Sequence, residues 1–198
     1  ACAFCQLSIG KPTEINNDES IQVAEAVKKL NLKYVVLTSV ARDDLSDHGA
    51  SLFVSAINEI RKIDPNIQIE VLTPDLWGGG KSFEDKDKLQ KERLKMILDK
   101  KPICFNHNLE TVERLQKEVR RGASYKNSIS LLKKAKSIAP NIQTKSGIML
   151  GLGETLEEIE TTILDLKKVD CDQITIGQYL RPSLKHLPVK KYLSLIHI

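Results

Sequence analysis

The chain is poor in the residues that mark fibrous, disordered or cross-linked proteins: its 198 residues include ten Gly, seven Pro, four Cys, two Met and one Trp. So few Gly and Pro exclude collagen, mucin-like stalks and low-complexity chains, and four scattered Cys exclude a secreted disulfide knot and point to a reducing compartment. Long apolar runs are missing too. The longest, such as Tyr34 to Leu37, fall far short of the roughly 20 residues a membrane-spanning helix needs. A dominant charge is also absent: 30 basic against 26 acidic side chains leave +4, with both signs interleaved along nearly every segment. Aromatic residues make up 5% and lie scattered, so neither a basic track nor a stacking platform for nucleic acid is present. What remains is ordinary globular composition, 41% apolar and 28% charged, long enough for one sizeable core. A soluble protein without nucleic-acid or membrane partners is expected.

The start, Ala1, carries no Met, basic stretch or apolar run, so no signal peptide is read and the beginning reads as cut. The apolar end, Leu193 to Ile198, has no cap or turn and reads as a truncation or read-through tail. The expected organisation is one incomplete barrel domain over residues 1–192 and a tail over 193–198.

Apolar periodicity near 3.6 runs from Glu19 to Leu30, after Asn16, Asn17 and Asp18, which can cap a helix; the β-branched run Tyr34 to Thr38 follows. The same order recurs as Ala50 to Ile63 before Ile67 to Leu72, and as Asp87 to Leu98 before Ile103 to Asn106. It recurs again as Ser128 to Ile138 before Gln143 to Leu150, and as Leu156 to Lys168 before Gln173 to Ile176. Nearly continuous apolar strands between amphipathic helices predict a parallel sheet with helices outside. Polar residues recur after every strand, at Ser39 to Asp44, Thr73 to Gly80, His107 to Glu110, Gly151 to Glu154 and Gln178 to Arg181. That favours a barrel with its chemistry at the carboxyl ends of the strands. Gly78 to Gly80 and the charged run to Lys101 read as a flexible loop and a solvated helix.

Cys2-Ala3-Phe4-Cys5 is the sharpest feature, since two thiolates three apart can share a metal ion or cluster. Alone the pair also fits half a zinc site, a redox dithiol or two plain thiols, and no second CxxC or close Cys/His pair completes a zinc site. Ser39, Arg42, Asp43 and Asp44 suit a polar ligand or a capping loop with a surface ion pair. Asn106, Asn108 and Glu110 admit the same two readings, and His107 lacks a second imidazole for a metal. Gly151-Leu152-Gly153-Glu154 brings backbone close to something, although a lone G-x-G-E is weak evidence for phosphate. Cys104 and Cys171 are expected in the core, His48, His186 and His197 in exposed loops or the tail, and Trp77 over or beside the mouth. Lys145, inside an apolar strand, should aim its ammonium at an anion.

Taken together, Cys2 to Cys5, Thr38 to Asp44, Phe105 to Glu110, Thr144 to Gly147 running on to Glu154, and Gly177 to Leu180 resemble the lipoyl synthase family, over about Ala1 to Tyr192. The resemblance implies a radical S-adenosylmethionine enzyme on an α/β fold, a partial (β/α)6 TIM-like barrel whose first strand is missing here. It implies CxxxCxxC with an aromatic before the last Cys, matched by Cys2, Phe4 and Cys5, with the first Cys four residues before Cys2 and off this chain. Three thiolates would hold a 4Fe-4S cluster whose open iron binds S-adenosylmethionine; one electron then yields a 5'-deoxyadenosyl radical. The implied activity is that of a sulfurtransferase, inserting sulfur at C6 and C8 of a protein-bound octanoyl group. The sulfur would come from a second, auxiliary 4Fe-4S cluster whose ligands this chain does not carry, so the piece alone is expected to be inactive.

By the same resemblance, Ser39 and Asp43, with Arg42 in their loop, would hold the amino group of S-adenosylmethionine. Asn106, Asn108 and Glu110 would reach its ribose or carboxylate, and Phe4 with the Gly151 to Glu154 turn would flank the adenine. Lys145, Gln178, Tyr179 and the Arg120-Arg121 pair would line the mouth; no catalytic side chain is assigned. Implied partners are octanoylated lipoyl carrier proteins, namely lipoyl domains of 2-oxoacid dehydrogenases and the glycine cleavage H protein, and an electron donor. The implied location is the cytoplasm, or the mitochondrial matrix or plastid stroma in a eukaryote. Without the resemblance the residues equally suit a non-catalytic metal-binding or carrier-docking module, or a sugar-phosphate barrel enzyme using Gly151 and Gly153 for phosphate.

Overall fold

The structure is a computed structural model that describes residues 2–7, 10, 12 and 14–193. Ser194 to Ile198, the greater part of the expected tail and with it His197, lie outside the described residues. The elements are α1 (Glu19–Lys29), β1 (Tyr34–Thr38), α2 (Ala50–Ile63), β2 (Gln68–Leu72), α3 (Phe83–Leu98) and β3 (Cys104–Asn106). A 3-10 turn (Glu113–Leu115) then leads into the short α4 (Gln116–Val119), followed by α5 (Tyr125–Ile138), β4 (Gln143–Leu150), α6 (Leu156–Lys168) and β5 (Gln173–Gln178). Strand order follows chain order, β1-β2-β3-β4-β5, and this is the α/β alternation read from the periodicity. The chain forms two compact units, one of residues 11–106 and 134–143, the other of 1–10, 107–133 and 144–198.

In the first unit β1 pairs in parallel with β2, Tyr34 opposite Gln68, and β2 with β3, Glu70 opposite Cys104. α1 packs on α2 and α2 on α3. Ile57, Ile60, Leu94 and Ile97 are fully buried, each worth about 1.5–3 kcal/mol of apolar burial. α2 starts at Ala50 because the Asp47 carboxylate accepts from the amides of Gly49 and Ser51. α3 starts at Phe83, earlier than the expected Asp87, because Ser82 and Asp85 form a reciprocal capping box. Ahead of α1, the Asp18 side chain caps nothing; Asn16 accepts from the Asp18 amide instead.

In the second unit β4 pairs in parallel with β5 from Lys145 opposite Gln173 to Leu150 opposite Gln178, and Glu110 bridges to Ile148. Its core is Val112, Leu115, Val119, Leu152 and Tyr179, with Phe4, Met149, Ile159, Leu187 and Val189 packed against it. A second capping box, Thr155 with Glu158, starts α6. β3 is buried throughout, and β2 and β4 are exposed only at their first residues, Gln68 and Gln143, whereas β1 leaves Tyr34 and Val36 exposed and β5 alternates between exposed and half-buried residues. Among the described residues no helix is long and apolar enough to cross a membrane.

Candidate active site

The beginning of the chain belongs to the second unit. Cys2 to Cys5 form a turn closed by the Cys5 amide on the Cys2 carbonyl at 3.2 Å, and the Ala3 amide donates to the Val119 carbonyl at 2.9 Å. Phe4 anchors the turn in the apolar cluster of this unit. Both thiols are free and half-buried. Burial pushes the Cys2 thiol up, against the opposing pull of the Arg120 guanidinium.

The polar run after β3 continues in the same unit. His107 is fully buried, its Nε2 2.9 Å from Ser128 Oγ and 3.2 Å from Arg120 Nη2, while Arg120 Nη1 donates to Ser128 Oγ at 2.8 Å. A guanidinium only donates, so Nε2 accepts and the ring proton sits on Nδ1. Glu110 takes φ +66°, in the left-handed region, where its amide donates to the Gly147 carbonyl and its carbonyl accepts from Met149. Burial raises its carboxyl, opposed by a hydrogen bond from Asn108 and by the charge of Arg120. Asn108 lies against Gly147, where a Cβ would come within 2.8 Å of its Oδ1. The expected Arg120-Arg121 pair is split: Arg120 turns inward to Ser128 and His107, and Arg121 is exposed.

The Gly151 to Glu154 turn is built around its own carboxylate. Glu154 accepts from the amides of Gly151 and Leu152, and Gly151 has φ +103°. The Gln178 amide nitrogen donates to the carbonyls of Leu150, Tyr179 and Lys191, while its oxygen accepts from Leu193. Tyr179 is buried, with its hydroxyl on the Leu187 carbonyl at 2.9 Å. Glu154, Gln178 and Tyr179 thus direct these polar atoms at main chain. Lys145 is half-buried on β4, opposite Gln173. A cleft of about 470 Å³ in this unit, lined by Arg114, Tyr125, Glu158, Thr162 and Asp165 among others, holds none of the residues singled out from the sequence.

The first unit carries Ser39, Arg42, Asp43 and Asn106. Ser39 is exposed directly after β1; Arg42 grips Asp44 through two bonds of 2.9 and 2.7 Å, which holds the Asp44 carboxyl below its ordinary range. Asp43 lies 3.4 Å from Nδ1 of His48. His48 is buried rather than in an exposed loop, and burial with the nearby Arg93 charge lowers its pKa. Arg93 of α3 is itself buried, donating to the carbonyls of Leu76, Gly78 and Ser46 at 2.8, 3.0 and 2.9 Å. The run from Gly78 is therefore strapped to α3 rather than a free loop, and Trp77 lies beside Phe83 at 5.2 Å between ring centroids. Asn106 donates to Glu70 at 2.8 Å, and its Oδ1 is buried with no hydrogen-bond partner among the described residues.

Two further expectations are corrected. Cys104 is a core thiol but Cys171 is half-buried, its sulfur near the carbonyls of Thr144 and Gln173. His186 is half-buried and reaches the Cys5 carbonyl at 3.1 Å. Sequence reasoning missed Arg93, Glu70, Ser128 and His186 as partners; only contacts in three dimensions reveal them. Among the described residues no group of three or more His, Cys, Asp and Glu is placed to hold a metal ion.

A CxxC turn with both thiols free beside the half-buried Arg120 guanidinium, and polar residues after parallel strands, define an α/β protein of the partial TIM-barrel class. The chain is a member of the radical SAM superfamily, whose signature matches residues 1–166. It is 88% identical over 192 residues to "Lipoyl synthase 2" of Prochlorococcus marinus subsp. pastoris, covering 97% of this chain and 64% of that protein. It is 62% identical over 193 residues to "Lipoyl synthase 2" of another Prochlorococcus marinus strain, covering 97% of this chain and 63% of that one. The chain therefore spans somewhat less than two thirds of the length of these curated relatives. Its fold is similar to that of Streptococcus suis SuiB bound to S-adenosylmethionine, with a TM-score of 0.68 at 15% identity, covering 96% of this chain and 40% of SuiB.

Proposed function

We propose that these residues form the S-adenosylmethionine-activating part of a lipoyl synthase, which inserts two sulfur atoms into a protein-bound octanoyl group. The observation that carries the reading is the Cys2 to Cys5 turn, with both thiols free and its backbone tied to the Val119 carbonyl. The residues fit the groups the superfamily uses. Cys2 and Cys5 supply two soft thiolate donors for a 4Fe-4S cluster, and the unpaired Asn106 Oδ1 offers a buried acceptor to a ligand. When bound, the cluster supplies the electron that cleaves the sulfonium of S-adenosylmethionine.

The chain's own part is binding, orientation and exclusion of water. Ser39 and Asp43 are assigned to the cofactor's amino group, with Arg42 and its partner Asp44 stiffening their loop. Asn106, Asn108 and Glu110 are assigned to its ribose or carboxylate. Glu110 is poised for that role by a left-handed backbone that several neighbours hold in place. Phe4 and the Gly151 to Glu154 turn would border the adenine, with Glu154, Gln178 and Tyr179 shaping the turn and Lys145 facing an anionic group. The substrate would be an octanoyl chain on a lipoyl carrier protein, in the cytoplasm of a bacterium.

The test uses the protein at the full length of its curated relatives. Reconstituted anaerobically with iron and sulfide, it should turn brown and, with reductant, release 5'-deoxyadenosine from S-adenosylmethionine. Cys5→Ala should abolish that release, because a cluster short of one thiolate is poorly held. The variant should stay folded, since Cys5 lies outside every helix and strand. Undiminished 5'-deoxyadenosine from Cys5→Ala would overturn the assignment.

A further inference from the structure

The last part of the second unit folds back over its first residues. His186 Nε2 lies 3.1 Å from the carbonyl oxygen of Cys5, 181 positions away in sequence. A carbonyl only accepts, so the ring proton sits on Nε2 and Nδ1 is left to accept the Ser183 hydroxyl at 2.9 Å. Ser183 Oγ is held in turn by the Lys185 amide at 3.3 Å. Arg181 clasps the same turn, donating to the carbonyls of His186 and Leu184 at 2.9 and 2.5 Å. One residue further on, the Leu187 amide donates to the Ala3 carbonyl at 3.3 Å, and its side chain packs into the cluster that holds Phe4.

We propose that His186 is a positioning residue for the cluster-binding turn. By donating Nε2–H to the Cys5 carbonyl it fixes the peptide next to one thiolate ligand, and so the direction in which the Cys5 sulfur points. Ser183 selects the ring tautomer that can donate, and Arg181 holds the turn that presents it. The inference rests on the reading of Cys2 and Cys5 as cluster ligands. It assigns the segment after β5 a part in holding the metal although that segment contributes no ligand among the described residues. Removing the imidazole leaves the Leu187, Lys190 and Lys191 amide bonds in place, so the strap should stay seated while the turn loosens.

The test follows iron release to a chelator by absorbance, in the anaerobically reconstituted protein extended to the length of its relatives. His186→Ala should release iron about fivefold faster than wild type, the rate equivalent of one net hydrogen bond of about 1 kcal/mol. His186→Gln keeps a side-chain N–H and should recover most of the retention; Ser183→Ala frees the tautomer and should fall between. The melting temperature of the metal-free protein should fall by no more than about 2–4 °C, the equivalent of that one bond; loss of packing would give a larger fall that His186→Gln does not restore. Iron release from His186→Ala at the wild-type rate overturns the inference alone, as does a Gln variant that leaks as fast as Ala. A wild type that takes up no iron defeats the cluster reading, and this inference with it.

Discussion

Replacing Gly151 by Ala puts a methyl group where the structure has no room for one. The ideal Cβ would stand 2.5 Å from Gln178 Nε2 and collide with the Lys191 carbonyl, and the backbone there has φ +103°. A side chain at such a φ strains the backbone by about 1–3 kcal/mol. Gln178 must also withdraw from the carbonyls of Leu150, Tyr179 and Lys191; losing two of these bonds removes about 1 kcal/mol each. The total, about 3–5 kcal/mol, is a large share of the 5–15 kcal/mol that holds a domain together. It corresponds to a fall in melting temperature of about 6–20 °C for a chain of this size. Gly177→Ala is the control, because nothing lies within 4 Å of its Cβ position; it should move stability by no more than about 0.5 kcal/mol. Chemical denaturation of both variants decides the matter. A Gly151→Ala protein within 1 kcal/mol of wild type would refute the tight approach of the 190–191 strap to this turn.

Two further outcomes follow from buried charges. Because burial raises the Glu110 carboxyl above its ordinary value, the folded state binds the proton more tightly than the unfolded one. Stability therefore falls as pH climbs from the ordinary value through the raised one. Glu110→Gln should lack that fall, so its advantage over wild type should grow with pH across that window in urea melts; a pH-independent difference would refute the assignment. Arg93→Met leaves the carbonyls of Ser46, Leu76 and Gly78 without their donor and should remove about 3 kcal/mol or more. Amide hydrogen exchange should quicken in 39–47 and 74–80; unchanged protection there would mean that the guanidinium does not hold these loops.

Much of the fold was legible in the sequence because it rests on local periodicity. α2 runs over the residues the pattern predicts, and β1, β4 and α6 begin and end where it places them. The start of α3 is encoded locally too, by Ser82 and Asp85 as a capping box. The 3-10 turn and α4, between Glu113 and Val119, carry too few residues for a helical period to show. The chemistry-bearing strings were legible as strings. What their side chains touch was not: Glu154, Gln178 and Tyr179 read as ligand contacts, yet turn polar atoms to backbone groups up to 28 residues away. His48 and Arg93 read as surface residues on polarity alone, and are buried because each meets atoms from another loop. Burial of this kind depends on tertiary neighbours, which no local pattern encodes.

The setting of the chain's one tryptophan has a practical consequence. Trp77 is half-buried in the unit of β1 to β3, beside Phe83 and with the Lys134 ammonium 5.6 Å from its ring centroid. Lys134 is itself tethered to Asp87 and Gln90, so the indole keeps company with a cation whose place depends on intact α3. Emission excited at the red edge of protein absorption is then a local reporter: it registers the unravelling of the unit of β1 to β3, not of the unit that carries Cys2 and Cys5.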